Sequence, residues 1–167
     1  MQATRQDHYL PNAAATSALG VVIAGCVRNG DTLLLSGGIG AGKSHFCRAL
    51  IQSAQVTSGQ APEEVPSPTY TLVQSYRAGP LSILHADLYR LGGPAEADEI
   101  GLLDAFGRDL CIVEWPDRLG GEAPVDALHL QFSIPSDGEG RAVCLTARGG
   151  DWPKRLAPLG AFGEMSA

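Results

Sequence analysis

An apolar run that ends in a glycine-rich turn and a lysine–serine pair constrains this chain more than any other stretch. It reads Leu33-Leu34-Leu35-Ser36-Gly37-Gly38-Ile39-Gly40-Ala41-Gly42-Lys43-Ser44. Gly37 to Ser44 satisfies the phosphate-loop pattern, a glycine, four residues, then Gly-Lys-Ser. Glycines let backbone take positive φ and approach a polyphosphate with no Cβ in the way. Successive N–H groups and a helix N-terminus then face the anion. Lys43 is placed to reach β- and γ-phosphates, and the Ser44 hydroxyl to ligate Mg2+. The flanks fit, with a strand-like run before the loop and a helix-like run, His45 to Gln55, after it. Lys43 is one of two lysines against ten arginines, and a purely structural turn has no need of it.

At 167 residues the chain is expected to be one domain with a real core. We assign residues 1–150 to a single P-loop domain and 151–167 to a C-terminal tail that is Gly/Pro/Ala-rich from Gly149 and expected to fray unless Trp152 docks. A net charge of −6 with no basic run argues against a direct clamp on nucleic acid. No stretch approaches the ~18 apolar residues of a membrane helix, and Met1 to Leu10 lacks the apolar core of a signal peptide. Cys26, Cys47, Cys111 and Cys144 show no metal spacing and read as small buried hydrophobes in a reducing compartment, so the chain reads as cytoplasmic.

Helical spacing of Leu19, Val22, Ile23, Cys26 and Val27 predicts a helix capped at Thr16 or earlier and running to about Arg28. Leu33 to Ser36 is apolar enough for a central buried strand. After a polar loop from Thr57 to Pro66, the Ser67-Pro68-Thr69 turn excludes helix. Tyr70–Tyr76 and Leu81–Ala86 read as an antiparallel hairpin, Ala95–Phe106 as a helix, and Leu110–Val113 as a buried strand. Ala127–Ile134 and Arg141–Ala147 form a second hairpin. The fold class is α/β, a P-loop NTPase fold with a mixed central β-sheet flanked by helices and its ligand loops at the carboxyl ends of strands.

Two apolar strands end in acids, Asp87 and Glu114, where a carboxylate beside a phosphate loop holds Mg2+ or orients the attacking oxygen. His85 shares a strand face with Asp87 and reads as a half-buried histidine satisfied by its neighbours. Thr69, on its proline-rigid loop, is a candidate γ-phosphate sensor. Trp115 is core or a wall of the site, and Arg90 a surface ion-pair partner or a phosphate contact. Asp104-Ala105-Phe106-Gly107 matches a GTPase DxxG element but lies in a helical stretch. With no Asn-Lys-x-Asp motif present, adenine is the expected base.

These pieces together resemble the TsaE (YjeE) family of bacterial ATPases. The resemblance is carried by the phosphate loop, Ser67-Pro68-Thr69-Tyr70-Thr71-Leu72-Val73, His85-Ala86-Asp87-Leu88-Tyr89-Arg90-Leu91, and Ile112-Val113-Glu114-Trp115-Pro116. It covers roughly residues 12 to 148. It implies slow ATP hydrolysis in concert with TsaB and TsaD, which place threonylcarbamoyl on an adenosine of tRNAs reading ANN codons. Contact with tRNA is then only through those partners. The nucleotide-binding run it implies is Gly38, Ile39, Gly40, Ala41, Gly42, Lys43, Ser44 and His45, with Thr16 at the base and Arg141 flanking the nucleotide. It implies Ser44 and Glu114 as Mg2+ ligands and Asp87, Lys43 and Thr69 as catalytic, with Thr69 in a switch-like loop. The chain departs from the family at Gly38, where an Asp or Glu is usual, which removes a carboxylate near the γ-phosphate. Two other readings stay open: a small-molecule or nucleoside kinase, and a nucleotide-sensing adaptor without turnover.

Overall fold

The computed structural model describes residues 3–160 and Phe162. At its centre lies β2 (Thr32–Ser36), buried on both faces, as a run of three leucines dictates. It pairs in parallel with β5 (Leu110–Glu114) on one side and β6 (Leu128–Ser133) on the other. β4 (Leu81–Asp87) continues the parallel set beside β5, and β3 (Val73–Ala78) returns antiparallel to β4 at one edge. At the other edge β7 (Arg141–Arg148) runs antiparallel to β6, and β1 (Ala3–Leu10) antiparallel to β7. The seven strands lie in the order β1-β7-β6-β2-β5-β4-β3.

Alternation along the strands divides the core between the two faces of the sheet. Leu33, Leu35, Ile83 and Ile112 pack with α1 (Ala13–Ala24) and α2 (Lys43–Thr57). Leu34, Ala86, Cys111 and Val113 pack on the opposite face with α3 (Pro94–Glu99), α4 (Leu102–Ala105) and the 3-10 segment Pro116–Glu122. Each fully buried leucine removes enough apolar surface to contribute about 1.5–3 kcal/mol. The expected α/β fold with a mixed, helix-flanked sheet is what the chain adopts.

Several boundaries differ from the sequence reading, each for a local reason. Asn12 caps α1, its Oδ1 accepting the Ala15 N–H at 2.9 Å, so Thr16 lies inside the helix and is buried. The helix ends at Ala24 instead of Arg28, its last carbonyls meeting the N–H of Gly25. The single helix expected over 95–106 breaks at Gly101, whose φ of 85° interrupts the α-helical path. β3 begins at Val73, because residues 68–72 form a turn closed by Leu72 N–H donating to Pro68 O at 2.7 Å. Of the four cysteines, Cys47 and Cys111 are buried as expected, whereas Cys26 and Cys144 are half-buried.

The N-terminal strand was not expected from the sequence. β1 alternates in exposure, but the residues that turn inward (Thr4, Gln6, His8) are polar, so the usual hydrophobic signature is absent. Of the segment expected to fray, residues 150–160 and Phe162 are described and are docked, while residues 161 and 163–167 lie outside the described residues. α5 (Trp152–Arg155) and the following turn bury Trp152, Leu156, Leu159 and Phe162 against the α1–α2 face. Trp152 Nε1 donates to Asp126 O at 2.8 Å, and the Arg155 guanidinium, paired with Asp31, lies 4.1 Å from the indole centroid. Among the described residues no helix is long and apolar enough to cross a membrane.

Trp152→Ala removes a large side chain that is sealed in the core and leaves the Asp126 carbonyl without its donor. Its expected cost is about 3–5 kcal/mol, read as a fall in the urea midpoint at an unchanged m-value.

Candidate phosphate and metal site

The loop between β2 and α2 owes its path to two glycines. Gly37 has φ 136°, and a Cβ there would sit 2.4 Å from the carbonyl oxygen of Phe132 on β6. Gly42, at φ 107°, is the N-cap of α2 and offers no side-chain acceptor. The first-turn N–H groups of α2 are therefore free of a side-chain cap, and the positive end of a 15-residue helix opens on the loop. That combination is an anion cradle built from backbone.

Lys43 opens the helix and is largely buried. Its ammonium donates to the carbonyl oxygens of Gly37 and, at 3.1 Å, Gly38, and lies 4.4 Å from the centroid of the Trp115 ring. Burial pulls its pKa below the ordinary lysine value, while the nearby carboxylates of Glu114 and Asp87 hold it up. Those acids end adjacent parallel strands, and the register sets Asp87 directly opposite Glu114. Both are nearly sealed from solvent. Ser44 Oγ lies 3.5 Å from Glu114 Oε1, so a hydroxyl and a carboxylate oxygen converge beneath the loop. Oxygen donors of this kind are what Mg2+ takes, alongside water and phosphate oxygens. The donor set fits the ion.

Asp87 is held from both sides. Its Oδ1 accepts the Tyr89 N–H at 2.9 Å, and its Oδ2 accepts the Thr69 hydroxyl at 3.0 Å. Thr69 Oγ1 is in turn 2.8 Å from Ser67 Oγ. Loop 66–72 is thereby tied to the end of β4, and the Asp87 N–H also donates to Leu72 O at 2.9 Å. Leu72 takes a left-handed φ of 71°, and Trp115 one of 58°, each at a cost of about 1–2 kcal/mol. Trp115 turns the chain out of β5 and sets its ring as a wall of the site, packed on Tyr89 with centroids 4.9 Å apart.

Two hollows flank the loop. One of about 320 Å3 is lined by Gly38 to His45, Ser67, Thr69, Asp87, Glu114 and Trp115. The other, about 330 Å3, is lined by Leu10 to Ala13, Thr16, Gly40, Gly42, His45, Gly140 and Arg141. The predicted residues are thus brought together around one loop, with Thr16, His45 and Arg141 on its second side. Arg141 Nε donates to Gly40 O at 2.9 Å, and His45 Nε2 lies 2.6 Å from Ser17 Oγ and 3.1 Å from Ala13 O. Ile39 is strongly exposed at the loop tip. Arg90 stays outside, its guanidinium over the exposed Tyr70 ring. His85 was underrated by sequence reasoning. It is not half-buried but fully enclosed, with Nε2 2.8 Å from Glu114 Oε2.

Adjacent glycines give a discriminating pair of variants. A Cβ on Gly38 meets nothing within 4 Å and φ there is not left-handed, so Gly38→Ala leaves stability within about 0.5 kcal/mol. Gly37→Ala forces strand β6 away and costs at least about 2 kcal/mol, measured by thermal unfolding of both proteins.

The family model described as "Threonylcarbamoyl adenosine biosynthesis protein TsaE" matches residues 10–143. The Bacillus subtilis tRNA threonylcarbamoyladenosine biosynthesis protein TsaE is 32% identical over 156 residues, covering 93% of this chain and 94% of that one. The protein of the same name from Rickettsia conorii is 37% identical over 112 residues, 66% of this chain but only 61% of the longer relative. The crystal structure of Bacillus YdiB superposes with a TM-score of 0.74 at 26% identity, covering 96% of this chain and 97% of that one. The match spans the glycine loop, the Thr69 loop and both strand-terminal acids, and on that basis this chain belongs to the TsaE family.

Proposed function

We propose that this chain binds Mg-ATP and hydrolyses it slowly, acting with TsaB and TsaD in forming the threonylcarbamoyl modification on adenosine of tRNAs that read ANN codons. The observation that carries the reading is the convergence of Lys43, Ser44, Asp87 and Glu114 on a backbone anion cradle. Lys43 and the loop from Gly38 to His45 hold the phosphates. Ser44 Oγ and Glu114 hold Mg2+, which when bound neutralises phosphate charge. Asp87 orients the attacking water from the end of β4. Thr69 hands the state of the phosphate to loop 66–72 through its bond to Asp87. Thr16 and Arg141, on the far side of the loop, flank the base and ribose. The relatives' names place them in tRNA threonylcarbamoyladenosine biosynthesis, and the net charge of −6 suits a factor that meets tRNA only through partner proteins.

The deciding experiment is phosphate release from Mg-ATP with and without the TsaB–TsaD pair of the same organism. Release that rises with the pair supports the reading. Phosphate transfer to a small acceptor, indifferent to the pair, replaces it with a kinase.

Lys43→Ala is expected to weaken ATP binding roughly ten- to a hundredfold, the worth of a charge-assisted hydrogen-bonded contact, by calorimetry. Because burial lowers the Lys43 pKa in the free protein, its ammonium is lost as pH rises at lower pH than for a free lysine. ATP affinity should therefore fall on the alkaline side before the ordinary lysine value of about 10.4, and Lys43→Ala should flatten that limb. Asp87→Asn is expected to keep ATP affinity and to lower phosphate release about 10²-fold or more, seen in single-turnover assays.

A further inference from the structure

Deeper in the sheet than the two acids lies a polar group that neither packing nor the proposed chemistry accounts for. His85 is 1% exposed on the face of β4 that packs against α2, among Leu33, Ile83 and Ile112, where a leucine would fill the space at no polar cost. Its Nδ1 has no hydrogen-bond partner among the described residues. Buried polar atoms are so rarely left alone that this one asks for a reason. What the ring does engage, through its other nitrogen, stands one strand away. Register sets His85 opposite Ile112 and Asp87 opposite Glu114, so the imidazole reaches diagonally from β4 to the Glu114 carboxylate on β5. A carboxylate only accepts, so Nε2 carries the proton of this 2.8 Å bond to Oε2. With Oε2 anchored inward, Oε1 is the oxygen left toward Ser44. The Cys47 thiol completes the same buried cluster, and burial together with the Glu114 charge keeps it protonated.

We propose that His85 is a positioning residue for Glu114, fixing the carboxylate by Oε2 so that Oε1 alone is presented to the divalent cation. This rests on the reading of Glu114 as a metal ligand. It assigns to the buried histidine a function in metal affinity with no contact to nucleotide or water. Outer-shell donors of this kind orient a ligand and raise the affinity of its site.

The test is Mn2+ binding to the ATP-loaded protein, followed by electron paramagnetic resonance, beside ATP binding in EDTA by calorimetry. His85→Leu is expected to weaken Mn2+ about tenfold while ATP affinity in EDTA stays within about twofold, and His85→Gln, which keeps a donor at the Nε2 level, to recover to within about threefold of the parent. Glu114→Gln should weaken Mn2+ at least as much, and adding His85→Leu to it should cost nothing further. Should His85→Leu not fold, His85→Asn, with its amide too short to reach Oε2, replaces it against His85→Gln. If Glu114→Gln loses Mn2+ affinity and His85→Leu does not, positioning is overturned while the metal reading stands. Equal losses in the Gln variant and in the Leu or Asn variant overturn it in favour of a packing role. If Glu114→Gln leaves Mn2+ affinity unchanged, the metal reading falls, and this proposal with it.

Discussion

Two carboxylates stand side by side at the ends of β4 and β5, almost sealed from water, and like charges in that position are costly unless positive charge is set against them. The rest of the site is arranged around this constraint. Lys43 supplies positive charge beside them, and both acids act on it in return. Thr69 and the Tyr89 amide take up the oxygens of Asp87, and His85 takes one oxygen of Glu114. What faces the loop is the Ser44 hydroxyl and the other oxygen of Glu114, 3.5 Å apart. On the proposed reading, a divalent cation would add the positive charge that two enclosed acids beside a single lysine call for.

The backbone shares in this. Gly37 lets the loop pass against the carbonyl of Phe132, and α2 begins with no side chain to quench its first amides. Trp115 and Leu72 accept left-handed backbone beside the acids, and Asp151 does so at the start of α5. The Lys43 ammonium then lies over the indole of Trp115, so that the lysine is restrained by ring, carbonyls and acids at once.

Much of this was legible in the sequence because the central strands are apolar runs with abrupt ends. Leu33–Leu35 running into glycines, and two further runs ending at Asp87 and Glu114, mark the loop and both acids in the sequence itself. Elements defined by a partner were harder to see. β1 turns Thr4, Gln6 and His8 inward and is a strand because β7 offers it a ladder. The residues around Trp152 look like a Gly/Pro-rich end, and only tertiary burial orders them. Gly101 divides a helical pattern that continues in register on both sides, so periodicity alone passes over it. His85 shows the limit most clearly: a lone histidine on an apolar strand reads as a satisfied core residue, and its partner lies 29 positions away on the neighbouring strand.

The position of β2 has a consequence for how the polypeptide comes into being. Both of its neighbours, β5 and β6, are encoded far downstream, so its three leucines emerge from the ribosome with no strand to pair with until residue 110 has followed. For that interval a strongly apolar strand stands as an unpaired edge, the kind of segment that self-associates or engages a chaperone. Assembly thus waits on long-range closure. The glycine loop exists early as sequence but late as a site, because the acids opposite it are positioned only when the strand that organises them is finally enclosed.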